Sequence, residues 1–378
     1  MTIKTKSAPY NIPKYSLTGD LLAFLKCRMQ YRFYNKGSLP PSTPVQMWFG
    51  EFIHCVMEEA FRKWERGTFT IPCDVKSVHE ICVSVSERLE SKGLKPYSNI
   101  FVKDDEKCEI GLANRRAFQS LFVWGPHLFP LIKNNEVKLE DVRRMVGDPD
   151  TCRSDYYAVT GVADVITSID LEKITPRNKV MQKLMADPDV SALMDKHDKF
   201  EIIVDYKGAK RPDVSDSEWE YHDWQLNTYM WLRRNQLISE GDESPVVAGV
   251  LLYLNELVPE KGYEDELIKS IKSGSTDVIP GSTDMMALEN KISTSDKYKR
   301  DRSFRLVPFD TDRVDYSLSS FDKVVYDIES CVQSEIRDSS NVMHHWNGND
   351  YQEERCKACD ARYFCEDLKE KRVPPFVP

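Results

Sequence analysis

The sequence predicts an α/β protein, with a helical N-terminal part and a β-rich core beyond it. Three observations carry this. Residues 16–133 hold apolar side chains at helical spacing in several long segments. From Tyr156 the chain turns to short runs of β-branched and aromatic residues. Two of the runs, KFEIIVDYK ending at Lys207 and VVAGVLLYLNE starting at Val246, read as buried strands on either side of a helical stretch, WQLNTYMWLRRNQLI from Trp224.

In order along the chain, residues 16–35 (SLTGDLLAFLKCRMQYRFYN) read as an amphipathic helix opened by a Ser or Thr cap. A Pro-rich loop at 39–44 follows, then helices over 46–66, 74–92 and 111–133. YYAVTGVADVITSID, from Tyr156, is a strand with Gly161 inside it. The two buried strands and their helix come next, and SFRLVPFD from Ser303 adds a further strand. Two polar stretches interrupt this core. The first, 170–198, is charged and helical. The second, 256–302, is rich in Gly, Ser, Thr, Asp and Lys, offers little to bury, and reads as a mobile insertion. A late helix over 312–335 leads to a tail with a cysteine cluster and a Pro-rich stop. The organisation expected is a helical part over 1–150, a core over 151–335 carrying both insertions, and a cysteine-rich clamp over 336–378.

At 378 residues, 41% hydrophobic and 30% charged, the chain can bury a sizeable core. It has no run of about eighteen apolar residues to span a membrane. The N-terminal MTIKTKSAPYNIPKYS lacks the apolar stretch of a secretory signal, so a cytoplasmic protein is expected. A net charge of -9 argues against binding nucleic acid by overall charge, yet leaves room for a nuclease, whose metals need carboxylates. Lys207, Lys210 and Arg211 form a local basic group, as do Arg233 and Arg234; each reads first as a solvated face. Ten cysteines in such a chain argue against a disulfide framework. Cys55, Cys73, Cys82, Cys108, Cys152 and Cys331 sit singly and read as packing residues.

The chemistry concentrates around EIIVDYK. Asp205 and Lys207 are two apart on a strand and so share a face. A carboxylate there can hold a divalent metal, and an ammonium can polarise water and offset charge developing on phosphorus. GVADVI puts Asp164 on another strand, where it can share the metal. GEFIHCVMEE puts His54 on a helix with Gly50 four residues before it, a glycine that would permit close packing, and Glu58 four after. Gln225 and Tyr229, four apart, share a helical face.

The tail reads ERCKACDARYFCED. Cys356 and Cys359 form a C-x-x-C whose sulfurs converge on one metal centre, with Cys365 six further on. A fourth cysteine, Cys27, is the candidate to complete the set. Spacing alone leaves zinc and iron–sulfur open, and for zinc His344 and His345 lie near enough in sequence to serve, unless they are surface residues.

Taken in order, Gly50 and His54, Gly161 and Asp164, Asp205 and Lys207, then Gln225 and Tyr229 resemble the RecB-like branch of the PD-(D/E)XK nuclease superfamily. The resemblance implies a restriction-endonuclease-like core, a mixed β-sheet flanked by helices. It implies that His54, Asp164, Asp205 and the backbone carbonyl of Tyr206 ligate Mg2+ or Mn2+, that Lys207 is the catalytic lysine, and that Gln225 and Tyr229 orient Lys207 or the DNA backbone. One cysteine before these motifs and three after them are similar to the iron–sulfur members, among them AddB-type nuclease domains and CRISPR-associated RecB-like exonucleases. That similarity implies a 4Fe–4S cluster held by Cys27, Cys356, Cys359 and Cys365, stapling the C-terminal tail to the N-terminal helix. Those members carry a proline after the first cysteine, where this chain has Arg28. The activity implied is a deoxyribonuclease working on single-stranded ends, in DNA repair, recombination or CRISPR spacer acquisition. The alternatives are an inactive module of the same fold that binds nucleic acid, and a zinc-stapled interaction protein with no nucleic-acid role. No G-x-x-x-x-G-K-[ST] occurs, so any unwinding would fall to a separate helicase.

Overall fold

The computed structural model describes residues 12–36, 46–95, 109–148, 150–260, 262–347, 356, 359–363 and 365. The Pro-rich loop at 39–44, Cys108 and the Pro-rich terminus lie outside these. In chain order the elements are β1 (Lys14–Ser16), a π-helical turn (Leu17–Leu22), α1 (Ala23–Lys26), α2 (Arg28–Lys36), α3 (Gln46–Glu65), α4 (Val75–Ser91), α5 (Glu109–Leu128), β2 (Ile132–Arg144), β3 (Tyr156–Thr167), β4 (Ile169–Asp170), α6 (Lys179–Ala186), α7 (Pro188–Met194), β5 (Lys199–Lys207), α8 (Ser217–Glu240), β6 (Val246–Tyr253), α9 (Tyr263–Ser273), α10 (Ser282–Glu289), α11 (Asp296–Ser303), β7 (Phe304–Pro308), α12 (Thr311–Arg337) and α13 (Val342–His345). Among the described residues no helix is long and apolar enough to cross a membrane.

The chain divides into a larger unit, Val45–Val137 with Ala163–Asp310, and a smaller one, Met1–Pro44 with Lys138–Val162 and Thr311–Pro378. In the larger unit the strands run in the order β3–β5–β6–β7. β5 is antiparallel to β3 and parallel to β6, and β7 is antiparallel to β6. The sheet is mixed and flanked by helices, the fold expected from the sequence. β5 and β6 are continuous apolar runs because both of their faces are covered. On one face Ile202, Val204 and Tyr206 join Ala248, Val250 and Leu252 in a core shared with Phe52 and Val56 of α3, Val85 of α4 and Trp124 of α5. On the other lies α8. Gly249, the register partner of Ile203, sits beneath it, and a Cβ at Gly249 would come within 2.3 Å of Leu226 Cγ. Glycine here lets the helix approach the sheet closely. α8 begins at Ser217, seven residues before the expected Trp224, because the Asp216 side chain caps it by accepting from the Glu218 N–H.

The two polar stretches differ in outcome. Residues 170–198 hold α6 and α7, as expected, and Val180, Leu184 and Val190 bury against the main core. Residues 256–302, expected to be a loose insertion with little to bury, instead fold into α9, α10 and α11 around a cluster of Tyr263, Leu267, Leu288 and Tyr298. The misreading has a physical cause, since much of what this segment buries is polar. Arg302 donates to Glu256 at 2.7 Å and to Tyr263 at 2.7 Å. Arg211 and Arg305 each donate to Asp277 at 2.8 Å, and Arg211 reaches the carbonyls of Arg302 and Phe304. The loop that follows β5 is thereby tied to this segment.

In the smaller unit, β1 runs parallel to the first half of β3. The long helix α12 supplies carboxylates to buried partners. Glu329, fully buried, accepts from Arg153 at 2.6 Å and from Tyr15. Asp322 accepts from Arg143 at 2.6 Å and from Tyr157. The single helix expected over 16–35 is corrected: Cys27 adopts an extended conformation (φ -166°, ψ 114°) and divides α1 from α2. The expected Ser cap is also replaced, since Ser16 donates both its N–H and its hydroxyl to Asp20 at 2.8 Å. The helical reading of the first 150 residues missed β1 and β2. β2 (IKNNEVKLEDVRR) has one well-buried side chain, Leu139, and otherwise alternates between exposed and half-buried positions.

Candidate active site

The site lies wholly within the larger unit and is built at the C-terminal end of β5. The strand's alternation points Asp205 and Lys207 toward the α8 layer, while Tyr206 points into the main core. Asp205 is 3% exposed, and Lys207 Nζ lies 2.7 Å from its Oδ2. Lys207 Nζ also donates to Gln225 Oε1 at 2.8 Å. Gln225 Nε2 in turn reaches Asp205 Oδ1 at 3.3 Å and donates to Tyr229 Oη at 3.2 Å. The four-residue spacing of Gln225 and Tyr229 on α8 thus places both against the strand end, in one network with the Asp-x-Lys pair.

Asp164 arrives from β3. The antiparallel register pairs Val165 with Val204, which brings Asp164 to the same strand end as Asp205, and the Tyr206 N–H donates to Asp164 Oδ2 at 2.7 Å. The long chain between Asp164 and Asp205 is taken up by β4, α6 and α7 and does not separate the two strands. His54, from α3, places Nδ1 3.2 Å from the same Asp164 oxygen, and its ring stands edge-on to Tyr206 at 5.9 Å. The close-packing role expected of Gly50 belongs to a different glycine. A Cβ on Gly50 would meet nothing within 4 Å, whereas one on Gly208, directly after Lys207, would lie 3.2 Å from Gly50 Cα and 3.2 Å from Ile53 Cγ2. Gly208 lets β5 end hard against α3. Glu58 is turned to Arg62, 2.5 Å away on its own helix.

One carboxylate near His54 and Asp164 was not singled out from the sequence. Glu136, on β2, brings a carboxylate oxygen to within 4.8 Å of ligand atoms of both His54 and Asp164. Its backbone has φ +51°, the left-handed region, inside an otherwise extended strand. Only a strand assignment for β2 with a left-handed residue in it could have found it, and neither has a sequence signature in this stretch.

The electrostatics follow from crowding. Burial pushes the Asp205 carboxyl upward and Asp164 adds to this, while Lys207 opposes both. Burial would lower His54, but the charges of Asp164 and Asp205 outweigh it and raise the imidazole to about 9. Desolvation, then Asp164 and Glu58, push the Glu136 carboxyl up to about 7. A site that strains its carboxylates in this way stabilises an added cation.

The other candidate residues sort clearly. Lys210 pairs with Glu266 at 2.9 Å, Arg211 with Asp277, Arg233 with Glu201 at 2.7 Å, and Arg234 stacks 4.0 Å over Phe309, so like Lys207 the members of both basic groups are engaged within the fold. Cys73, Cys82, Cys152 and Cys331 are buried as expected and Cys55 is half-buried. Burial pushes the Cys82 thiol up to about 12, which suits inert packing. In the smaller unit, Cys27 directly precedes α2, and Cys359 directly precedes a 3-10 turn, Asp360–Tyr363, that packs on α2. The Asp360 N–H donates to Tyr34 Oη at 3.4 Å. Cys356 and Cys365 flank this turn, both half-buried. His345 Nε2 lies 2.9 Å from the Asp338 carbonyl, and His344 is exposed. Arg28, in place of the proline, bonds Asp327 at 2.7 Å and covers the Phe24 ring.

A search of curated proteins finds no match. The model of the PD-(D/E)XK nuclease superfamily matches residues 19–366, nearly the whole chain and every residue of the site above, and this protein therefore belongs to that superfamily.

Proposed function

We propose that the protein is a Mg2+- or Mn2+-dependent deoxyribonuclease of the RecB-like, iron–sulfur branch, acting on single-stranded DNA ends. The observation that carries this reading is the network joining Asp205, Lys207, Gln225 and Tyr229, with Asp164 and His54 set against it. The donor set fits a small divalent ion: the oxygens of Asp164 and Asp205, the Tyr206 carbonyl and the His54 imidazole. When bound, such an ion supplies an acidified water and an electrophile for the phosphate oxygens. The chain's own residues do the rest. Lys207 carries the positive charge that faces the scissile phosphate and orients the attacking water. Gln225 and Asp205 fix the Lys207 ammonium, and Tyr229 fixes Gln225. His54 and Tyr206 bring the α3 layer and the sheet together at Asp164.

The cysteine set fits a soft-ligand centre. Cys27 directly precedes α2, the 3-10 turn that follows Cys359 packs on α2, and His345 is engaged elsewhere. This supports Cys27, Cys356, Cys359 and Cys365 as ligands of a structural 4Fe–4S cluster rather than a Cys/His zinc site. We assign the protein to the cytoplasm, in repair, recombination or CRISPR adaptation, with a separate helicase or recombination protein as partner. The test is to incubate the purified protein with end-labelled single-stranded DNA, duplex DNA and RNA, with Mg2+, Mn2+ or EDTA. Metal-dependent shortening of single-stranded DNA from its ends is the expected result. Tight binding without cutting in either metal would favour the inactive binding module, and cutting of RNA alone would reject the substrate assignment.

A further inference from the structure

We infer that Glu136 is an additional side-chain ligand of the catalytic metal, contributed by β2 beside His54 and Asp164; this rests on the metal-nuclease reading above. Its carboxylate lies within 4.8 Å of ligand atoms of both residues, close enough for one ion to touch all three. Among the described residues no hydrogen bond satisfies that carboxylate, and the nearest charges on it include Asp164, Glu58 and Glu51 as well as His54. The backbone bears a cost to hold it there. A glutamate at φ +51° is disfavoured against an ordinary strand conformation, and such residues persist where the surroundings impose them. A solvated surface glutamate needs neither the left-handed backbone nor a place against another carboxylate. A divalent cation accounts for both, since hard oxygen ligands crowd together only around positive charge.

The experiment is Mn2+ binding, followed by the loss of the free-ion EPR signal, in wild type, Glu136→Gln, Glu51→Gln and Asp164→Asn. Glu136 is exposed and the glutamine is isosteric, so the fold should survive; circular dichroism and the melting temperature check this. Glu51, exposed on α3, contributes charge to the region but does not belong to the three-ligand group, so it reports the general field. Ligation predicts that Glu136→Gln weakens Mn2+ affinity by at least tenfold, on the scale at which metal sites respond to lost partners, while Glu51→Gln changes it less than about twofold. Unchanged affinity in Glu136→Gln, or equal weakening in both glutamine variants, overturns the inference. If wild type binds no Mn2+, or Asp164→Asn binds as well as wild type, the metal-nuclease reading itself fails, and the inference with it.

Discussion

Gln225 accepts a hydrogen bond from Lys207 Nζ at 2.8 Å, and through that bond a residue of α8 sets the position of an ammonium on β5. The same Nζ lies 2.7 Å from Asp205 Oδ2, so Lys207 is held from two sides by groups on two elements. Gln225→Ala should therefore leave Lys207 paired with Asp205 but freer to move. The expected effect is a fall in kcat of about tenfold with KM little changed, since a positioning contact is removed rather than a binding one. Gln225→Glu should be worse than Gln225→Ala, because it adds another carboxylate to a crowded site. Steady-state cleavage of a labelled strand measures both.

The left-handed backbone at Glu136 separates stability from function. Glu136→Gly removes both the strain and a carboxylate repelled by its neighbours, and should stabilise the apoprotein by roughly 1 kcal/mol. A denaturant midpoint that rises while metal affinity falls is the expected pattern. A destabilised Glu136→Gly variant would mean that the carboxylate is a structural contact.

Asp277 accepts from Arg211 and Arg305 in the segment that sequence composition made look mobile. Burial raises its carboxyl, but the guanidinium groups of Arg211 and Arg305 outweigh this and hold it well below the usual carboxylate range. Because the folded-state value lies below the unfolded one, the stabilisation is full above about pH 4 and is lost as pH falls further. Asp277→Asn leaves Arg211 and Arg305, both nearly buried, short of their counterion, and should cost about 3 kcal/mol at pH 7. The gap between wild type and variant in urea unfolding should narrow from pH 4 to pH 2. A gap that stays constant would contradict the sign of the shift.

The cysteine clamp predicts a colour. Protein purified without oxygen should be brown and carry about four iron atoms per chain. Cys27→Ala should lose colour as completely as Cys359→Ala. Colourless protein with stoichiometric zinc would reject the cluster, and a normal cluster in Cys27→Ala would reassign the fourth ligand.

Much of the fold was legible where burial is apolar and two-sided. β5 and β6 stand out as unbroken apolar runs because helices cover both faces, and Asp205 and Lys207 could be given one face from strand period alone. His54, Asp164, Gln225 and Tyr229 were expected from motifs that together resemble the RecB-like pattern, and in the structure they lie near that strand end. What was not legible depends on polar burial or on backbone geometry. β2 is a polar, half-exposed strand, so its alternation is drowned by charge, and Glu136 went with it. Residues 256–302 are packed through Arg211, Arg302 and Arg305 on Glu256 and Asp277, a network whose composition is that of a solvated loop. The break at Cys27 lies among good helix formers, and only its extended backbone reveals it.

We propose that the β5 carboxylate and lysine hydrolyse phosphodiester bonds with a bound metal. Single-turnover cleavage of end-labelled single-stranded DNA, in Mn2+, by wild type, Asp205→Ala and Lys207→Ala tests it most directly. Both side chains sit at the end of a strand, so both variants should fold, with DNA binding kept because backbone contacts supply most of the affinity. Asp205→Ala should show no detectable cleavage, and Lys207→Ala should cleave about 10²–10³ more slowly with Mn2+ still bound. Cleavage by Asp205→Ala at the wild-type rate would contradict this proposal, whatever else the protein does.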